Sequence, residues 1–153
     1  MEMPKPGPAH QQLAKLAGHW TGSEKMHPSP WDPQGGMATG KVTNRVALDG
    51  FNVIQDYEQV RDGAVTFRGH GVFSVDAESG QSTLHWWDSM GCTASLFTGS
   101  WKGDTLVMTS KSPMGWSRCS FALAGSRYTF AMEMSQDGKQ WAPAMDGSYT
   151  KGA

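Results

Sequence analysis

Cysteine is scarce in this chain, with only Cys92 and Cys119 in 153 residues. Neither belongs to a Cys-x-x-Cys pair, so a structural zinc site of the usual spacing is excluded. Two free thiols are expected, with a disulfide only if the two strands prove to be neighbours. Charge of one sign is also lacking. Thirteen basic and fourteen acidic residues leave a net charge of -1, which gives no long-range attraction to nucleic acid or anionic lipid. No apolar run approaches the roughly 18 residues of a membrane-spanning helix. The first eight residues, M-E-M-P-K-P-G-P, lack the apolar stretch and small-residue cleavage site of a secretory leader. A cytoplasmic protein, binding neither membrane nor nucleic acid, is the expectation. A Walker loop, dinucleotide fingerprint, zinc-binding helix and Ser-His-Asp pattern are absent as well.

Glycine, by contrast, is plentiful, at 19 residues, and much of it stands in turn pairs. Asp49-Gly50, Asp62-Gly63, Ser79-Gly80, Met90-Gly91, Lys102-Gly103, Gly125-Ser126 and Asp137-Gly138 punctuate short alternating runs. Such pairs accept positive φ cheaply and favour tight hairpins. Strands are predicted near 18–27, 38–48, 51–60, 64–75, 81–88, 92–101, 104–110, 115–123, 126–135 and 140–150. Short links force sequence neighbours to pair antiparallel. About ten strands in an up-and-down order would leave two exposed edges, and closure into a barrel removes both.

Before the strands, Leu13, Leu16 and Ala17 fall at i, i+3 and i+4 within residues 10–17, one face of a short helix that Gly18 can stop. The predicted layout is a Pro-rich flexible tail over 1–9 and one barrel domain over 10–153. The link from His27 to Met37, with three prolines and two glycines, excludes a strand and suits a loop at the barrel mouth. Trp31 on that loop could cover the opening.

Strand alternation sorts side chains onto two faces. Tyr128, Phe130, Met132 and Met134 share one face. Trp116 and Arg118 lie opposite Cys119 and Phe121, and Phe67, Gly69, Gly71 and Phe73 lie opposite Arg68 and His70. Within Leu84-His85-Trp86-Trp87-Asp88, Trp86 and Asp88 share a face, with His85 and Trp87 on the other. An inward Asp88 needs a partner, for which Arg118 or Arg45 is available, or it serves as a proton-transfer group. Its other reading is a carboxylate closing the turn before Ser89-Met90-Gly91. His70 and His85 could share a metal with Asp56 or Glu58, but no third ligand has compelling spacing, and no metal or cofactor is expected. The methionines of Met26-His27 and Met132-x-Met134 suit soft copper and read more simply as core filler.

The succession L-A-G-x-W-x-G from Leu16, W-D-P at Trp31, L-D-G-x-x-V-I-Q-D-Y from Leu48, F-x-G-x-G from Phe67, W-W-D at Trp86 and a terminal D-G-x-x-W is similar, from His10 to Lys151, to domain-of-unknown-function family 1579. Its opening resembles the start of lipocalin-type (calycin) barrels, where a Gly-x-Trp after a short helix plugs the closed end. That resemblance implies an all-β, lipocalin-like fold with Trp20 as the plug and suggests Arg127 stacked on it. More distantly, the G-x-W-x-G resembles that of nitrobindins, which take their haem ligand from a late histidine. No histidine here follows His85, so the resemblance does not carry haem binding.

Three functions follow as expectations. The first is a barrel holding a small apolar or amphipathic molecule among Trp20, Trp31, Trp86, Asp88, Trp116, Arg118, Tyr128, Phe130 and Met132, with Arg118 or Arg45 meeting a polar head. The second is an enzyme using the same cavity, with Asp88 and His85 or His70 in proton transfer. The third is a solid barrel whose outer tryptophans make a homodimer, because seven tryptophans exceed what one small core needs.

Overall fold

The computed structural model describes residues 1–30 and 32–152. Trp31, the expected cover of the opening, therefore lies outside the described residues. The ten expected strands are β1 (Gly18–Met26), β2 (Gly36–Ala47), β3 (Asn52–Arg61), β4 (Ala64–Val75), β5 (Ser82–Asp88), β6 (Ser95–Lys102), β7 (Thr105–Ser112), β8 (Gly115–Ala124), β9 (Arg127–Ser135) and β10 (Ala142–Lys151). Each pairs antiparallel with its sequence neighbour, and β1 pairs with β10 from Trp20↔Lys151 to Met26↔Met145. That last ladder closes an up-and-down barrel and satisfies the backbone of both would-be edges. The fold is all-β and lipocalin-like.

The turn chemistry acts as the residue pairs suggest. Asp62 and Gly63 both take positive φ, 51° and 78°, the backbone of a two-residue hairpin link between β3 and β4. Cys92 precedes β6 and is exposed, whereas Cys119 on β8 is buried and free, so the thiols do not pair.

The helix, α1 (Pro8–Ala14), starts two residues before the predicted segment. Proline is tolerated there because the first turn has no use for its missing N–H. Leu13 and Leu16 are buried under α1 and the turn after it. Together with Trp20 they close one end of the barrel. The indole N–H of Trp20 and the amide of Asn44 both donate to the Leu16 carbonyl, at 2.8 and 2.9 Å. Trp20 is 1% exposed and meets Tyr128 edge-on at 4.8 Å. The cation above its ring is Lys151, 5.7 Å from the centroid, and not Arg127, which is exposed on β9. Lys151 takes that place because it is the cross-strand partner of Trp20.

Candidate functional site

Beyond the plug the barrel is hollow. A cavity of about 310 Å³ extends from the Tyr128 ring toward the end carrying the β1–β2, β5–β6 and β9–β10 links. This removes the solid-barrel expectation, since ligand pockets begin near ~300 Å³.

One wall is apolar. Cys119 and Phe121 of β8 and Tyr128, Phe130 and Met132 of β9 face inward, with Phe121 and Phe130 rings 5.1 Å apart. Burial pushes the Cys119 thiol up to about 12, so it is an inert, protonated part of the wall. Trp86 adds a broad surface, because glycine on the adjacent strand leaves it room. A Cβ on Gly69 would lie 2.2 Å from the Trp86 ring. The indole N–H donates to Asp88 at 2.9 Å, and the other carboxylate oxygen of Asp88 accepts the Met90 N–H at 3.0 Å. Asp88 thus both lines the cavity and closes the turn, and it anchors the Trp86 indole.

The facing wall is polar and was not foreseen. Alternate residues of β3, namely Gln55, Tyr57 and Gln59, point inward. Behind them stands Glu24 of β1, 0% exposed. The Tyr57 hydroxyl donates to Glu24, 2.7 Å from each carboxylate oxygen. The Tyr149 hydroxyl of β10 donates to Oε2, and the Gln59 amide donates to Oε1 at 3.2 Å. Three donors converging on two oxygens match an ionised carboxylate, which only accepts. Burial, and then the negative charge of Glu24, hold the Tyr57 and Tyr149 phenols far above their ordinary value, so both remain donors.

Small residues make the space for this group. Glu24 lies opposite Ala38 on β2 and Gly147 on β10. A Cβ on Gly40 would come within 2.3 Å of Glu24 Oε2, and one on Gly147 within 2.5 Å of the Tyr149 hydroxyl. Glycine inside a strand marks such close approaches, and Gly40 and Gly147 were the available sequence signal for the buried carboxylate.

Two further polar side chains open on the cavity. Gln55 and Tyr128 are 6% and 2% exposed, and neither has a hydrogen-bond partner among the described residues. The burial of Tyr128, then Glu24, raises its phenol in the same sense as the other two.

Several sequence expectations need correction. Trp86, Asp88, Tyr128, Phe130 and Met132 line the cavity, but Trp20 is sealed in the plug and does not reach it. Trp116 and Arg118 are on the outer face of β8, since Cys119 and Phe121 take the inner one. Arg118 pairs with Glu133 at 3.0 Å and lies 4.1 Å over the Trp141 ring, while Lys111 lies 5.1 Å over Trp116. These outer aromatics are covered by the stems and charges of cations. Arg45 is exposed on β2, so neither arginine meets Asp88 or a head group in the cavity. His70 and His85 are also outside: His70 pairs with Asp56 at 2.8 Å, and the His85 ring stacks at 6.5 Å on Trp87. Neither histidine lines the cavity; His70 and Asp88 instead share a groove on the outer face with Lys41, Glu58 and Arg68. Among the described residues, no three His, Cys, Asp or Glu side chains converge as metal ligands would. Nor is any described helix long and apolar enough to cross a membrane.

At the mouth, the β1–β2 link is tied on both sides. His27 meets Asp146 of β10 at 2.7 Å, and Asp32 accepts both terminal nitrogens of Arg61 of β3 at 3.1 Å.

Solved structures share this architecture. Rv2717c from M. tuberculosis superposes with a TM-score of 0.74 at 17% identity, covering 96% of this chain and 99% of that one. The S-type phycobiliprotein lyase CPES from Guillardia theta gives 0.62 at 8% identity, with coverage of 97% and 99%. A point mutant of the fluorescent protein UnaG gives 0.55 at 13%, with coverage of 92% and 99%. At these identities the likeness is one of fold. No curated protein matches the sequence. The family described as "Protein of unknown function (DUF1579)" matches residues 5–151, and the chain belongs to that family.

Proposed function

We propose that the barrel binds a small, largely apolar molecule inside its cavity. The observation that carries this reading is a cavity of about 310 Å³, open at the mouth, walled by aromatic, aliphatic and methionine side chains and bearing a few convergent polar groups. That combination is the usual character of a small-molecule site. The wall is built to stay open. Trp86 is fixed by Asp88, and the tyrosines of the opposite wall are fixed by Glu24, so little ordering remains to oppose binding. Methionines at the mouth, Met26, Met132 and Met145, can adapt to the shape of a guest.

The test uses N-phenyl-1-naphthylamine, a neutral dye whose emission rises in apolar surroundings. Its titration is expected to saturate at one dye per chain. Ala144 lines the cavity beside the β10 bulge, and Ala144→Phe should weaken dye binding at least tenfold without unfolding the barrel. No saturable signal, or equal binding by the variant, would overturn the reading.

A further inference from the structure

We infer that the cavity selects by charge: it admits neutral or cationic aromatic molecules and excludes anions, with Glu24 setting the sign. This rests on the cavity being a binding site. Its described lining includes no lysine, arginine or histidine. The acidic groups are Asp88 in the lining and Glu24 immediately behind Tyr57, Gln59 and Tyr149. Neutral donors alone hold Glu24, so its charge is solvated by hydrogen bonds but not cancelled by a counter-ion. A guest touching the Tyr57 hydroxyl stands one hydrogen bond beyond the carboxylate, whose field is weakly screened in this environment.

The remaining polar contacts are indifferent to sign. The Gln55 amide can donate or accept, as can the Tyr128 hydroxyl, and both are buried, facing the cavity, without a described partner. They can anchor a polar group of either kind, so the choice between a positive and a negative guest falls to Glu24 and Asp88. The protons of Tyr57 and Tyr149 are committed to Glu24, and the Tyr57 oxygen also accepts the Gln59 amide at 3.2 Å, so neither phenol has a proton to offer a guest. A donor-bearing guest, such as an ammonium, an alcohol or a ring N–H, is therefore the matching chemistry. A carboxylate head would meet acceptors and like charge, a mismatch that costs more than a missing contact.

Competition against N-phenyl-1-naphthylamine with three matched naphthalenes tests this. 2-Naphthylmethylamine and 2-naphthalenemethanol should displace the dye, and 2-naphthoate should bind at least tenfold more weakly than the amine. Glu24→Gln should shrink that gap to less than threefold. Because Glu24→Gln can fail to fold, Met132→Arg at the mouth provides the converse: a cation in the wall should raise naphthoate affinity at least tenfold. Naphthoate binding to the unaltered protein as tightly as the amine would overturn the inference while leaving the cavity a binding site. So would Met132→Arg with no gain for naphthoate. Failure of the dye and all three naphthalenes to bind would instead remove the binding reading itself, and the inference with it.

Discussion

The two walls of the cavity are built on the same strand geometry and held by opposite physics. The β8–β9 wall is a set of apolar side chains packed ring against ring, each contributing a little dispersion and burial. The β1–β3–β10 wall is a single connected polar group, in which Glu24 is worth having only because Tyr57, Tyr149 and Gln59 all donate to it. Packing of the first kind degrades gradually when a side chain is trimmed. A buried charge network fails abruptly, because removing one member leaves the others unsatisfied.

The sharpest contrast comes from matched deletions. Glu24→Ala strands three donors and is expected to cost about 3–5 kcal/mol, read as a lower urea midpoint. Phe130→Ala only widens an existing cavity beside a half-buried ring, and its cost should fall below the ~3–5 kcal/mol of a fully buried phenylalanine. If the apolar deletion proves the more damaging, the two walls are not held as described.

Gly40→Ala refines the same comparison with one methyl. Its Cβ would meet Glu24 Oε2 at 2.3 Å, so the carboxylate must move off its donors. A loss of about 1–3 kcal/mol is expected from such overpacking, and in the Glu24→Ala background most of it should disappear. Additive losses in the double mutant would show that the glycine serves something other than the carboxylate.

High pH probes both walls together. The Cys119 thiol, ordinarily at 9.0, stays protonated in the fold up to about 12, so the native state keeps a proton that the unfolded chain has lost. Its stabilising contribution is complete below about pH 9 and disappears as pH rises toward about 12, with a slope of at most ~1.4 kcal/mol per pH unit. Tyr57, Tyr128 and Tyr149, ordinarily at 10.0 and all held higher, act in the same direction from about pH 10 upward. Stability measured against pH should therefore begin to fall near pH 9. Cys119→Ala should delay that onset to about pH 10, and an unchanged onset would contradict the assignment. The smallest effect lies at the plug. Lys151→Ala should cost about 0.5–1 kcal/mol through the lost contact with Trp20, while Arg127→Ala should stay within ~0.5 kcal/mol.

The apolar wall was legible in the sequence because its strand alternates cleanly. Tyr128, Phe130 and Met132 are separated by Arg127, Thr129, Ala131 and Glu133, and period-2 apolarity names the inner face. On β8 the faces were separable but the inner one was not, because tryptophan reads as core. Trp116 is outside nonetheless, since a lysine can cover an aromatic ring at the surface and the smaller Cys119 leaves the interior hollow. The polar wall was hidden for a different reason. In Gln55-Asp56-Tyr57-Glu58-Gln59 both faces carry polar residues, so hydropathy has no direction to report. Glu24 stands between Ser23 and Lys25 and looks like any exposed strand residue. Only the tertiary arrangement brings it against Gly40 of the neighbouring β2, Tyr57 of β3 and, through barrel closure, Tyr149 of β10.

The claim that the cavity is a binding site is most directly tested by methionine methyl NMR during titration with N-phenyl-1-naphthylamine. Met26, Met132 and Met145 line the cavity, and Met3, 79% exposed, precedes the helix outside it. The expected result is saturable, concerted shifts of the three cavity methyls at one dye per chain, with Met3 unmoved. Cavity methyls that stay still, or that shift only in parallel with Met3, would contradict it.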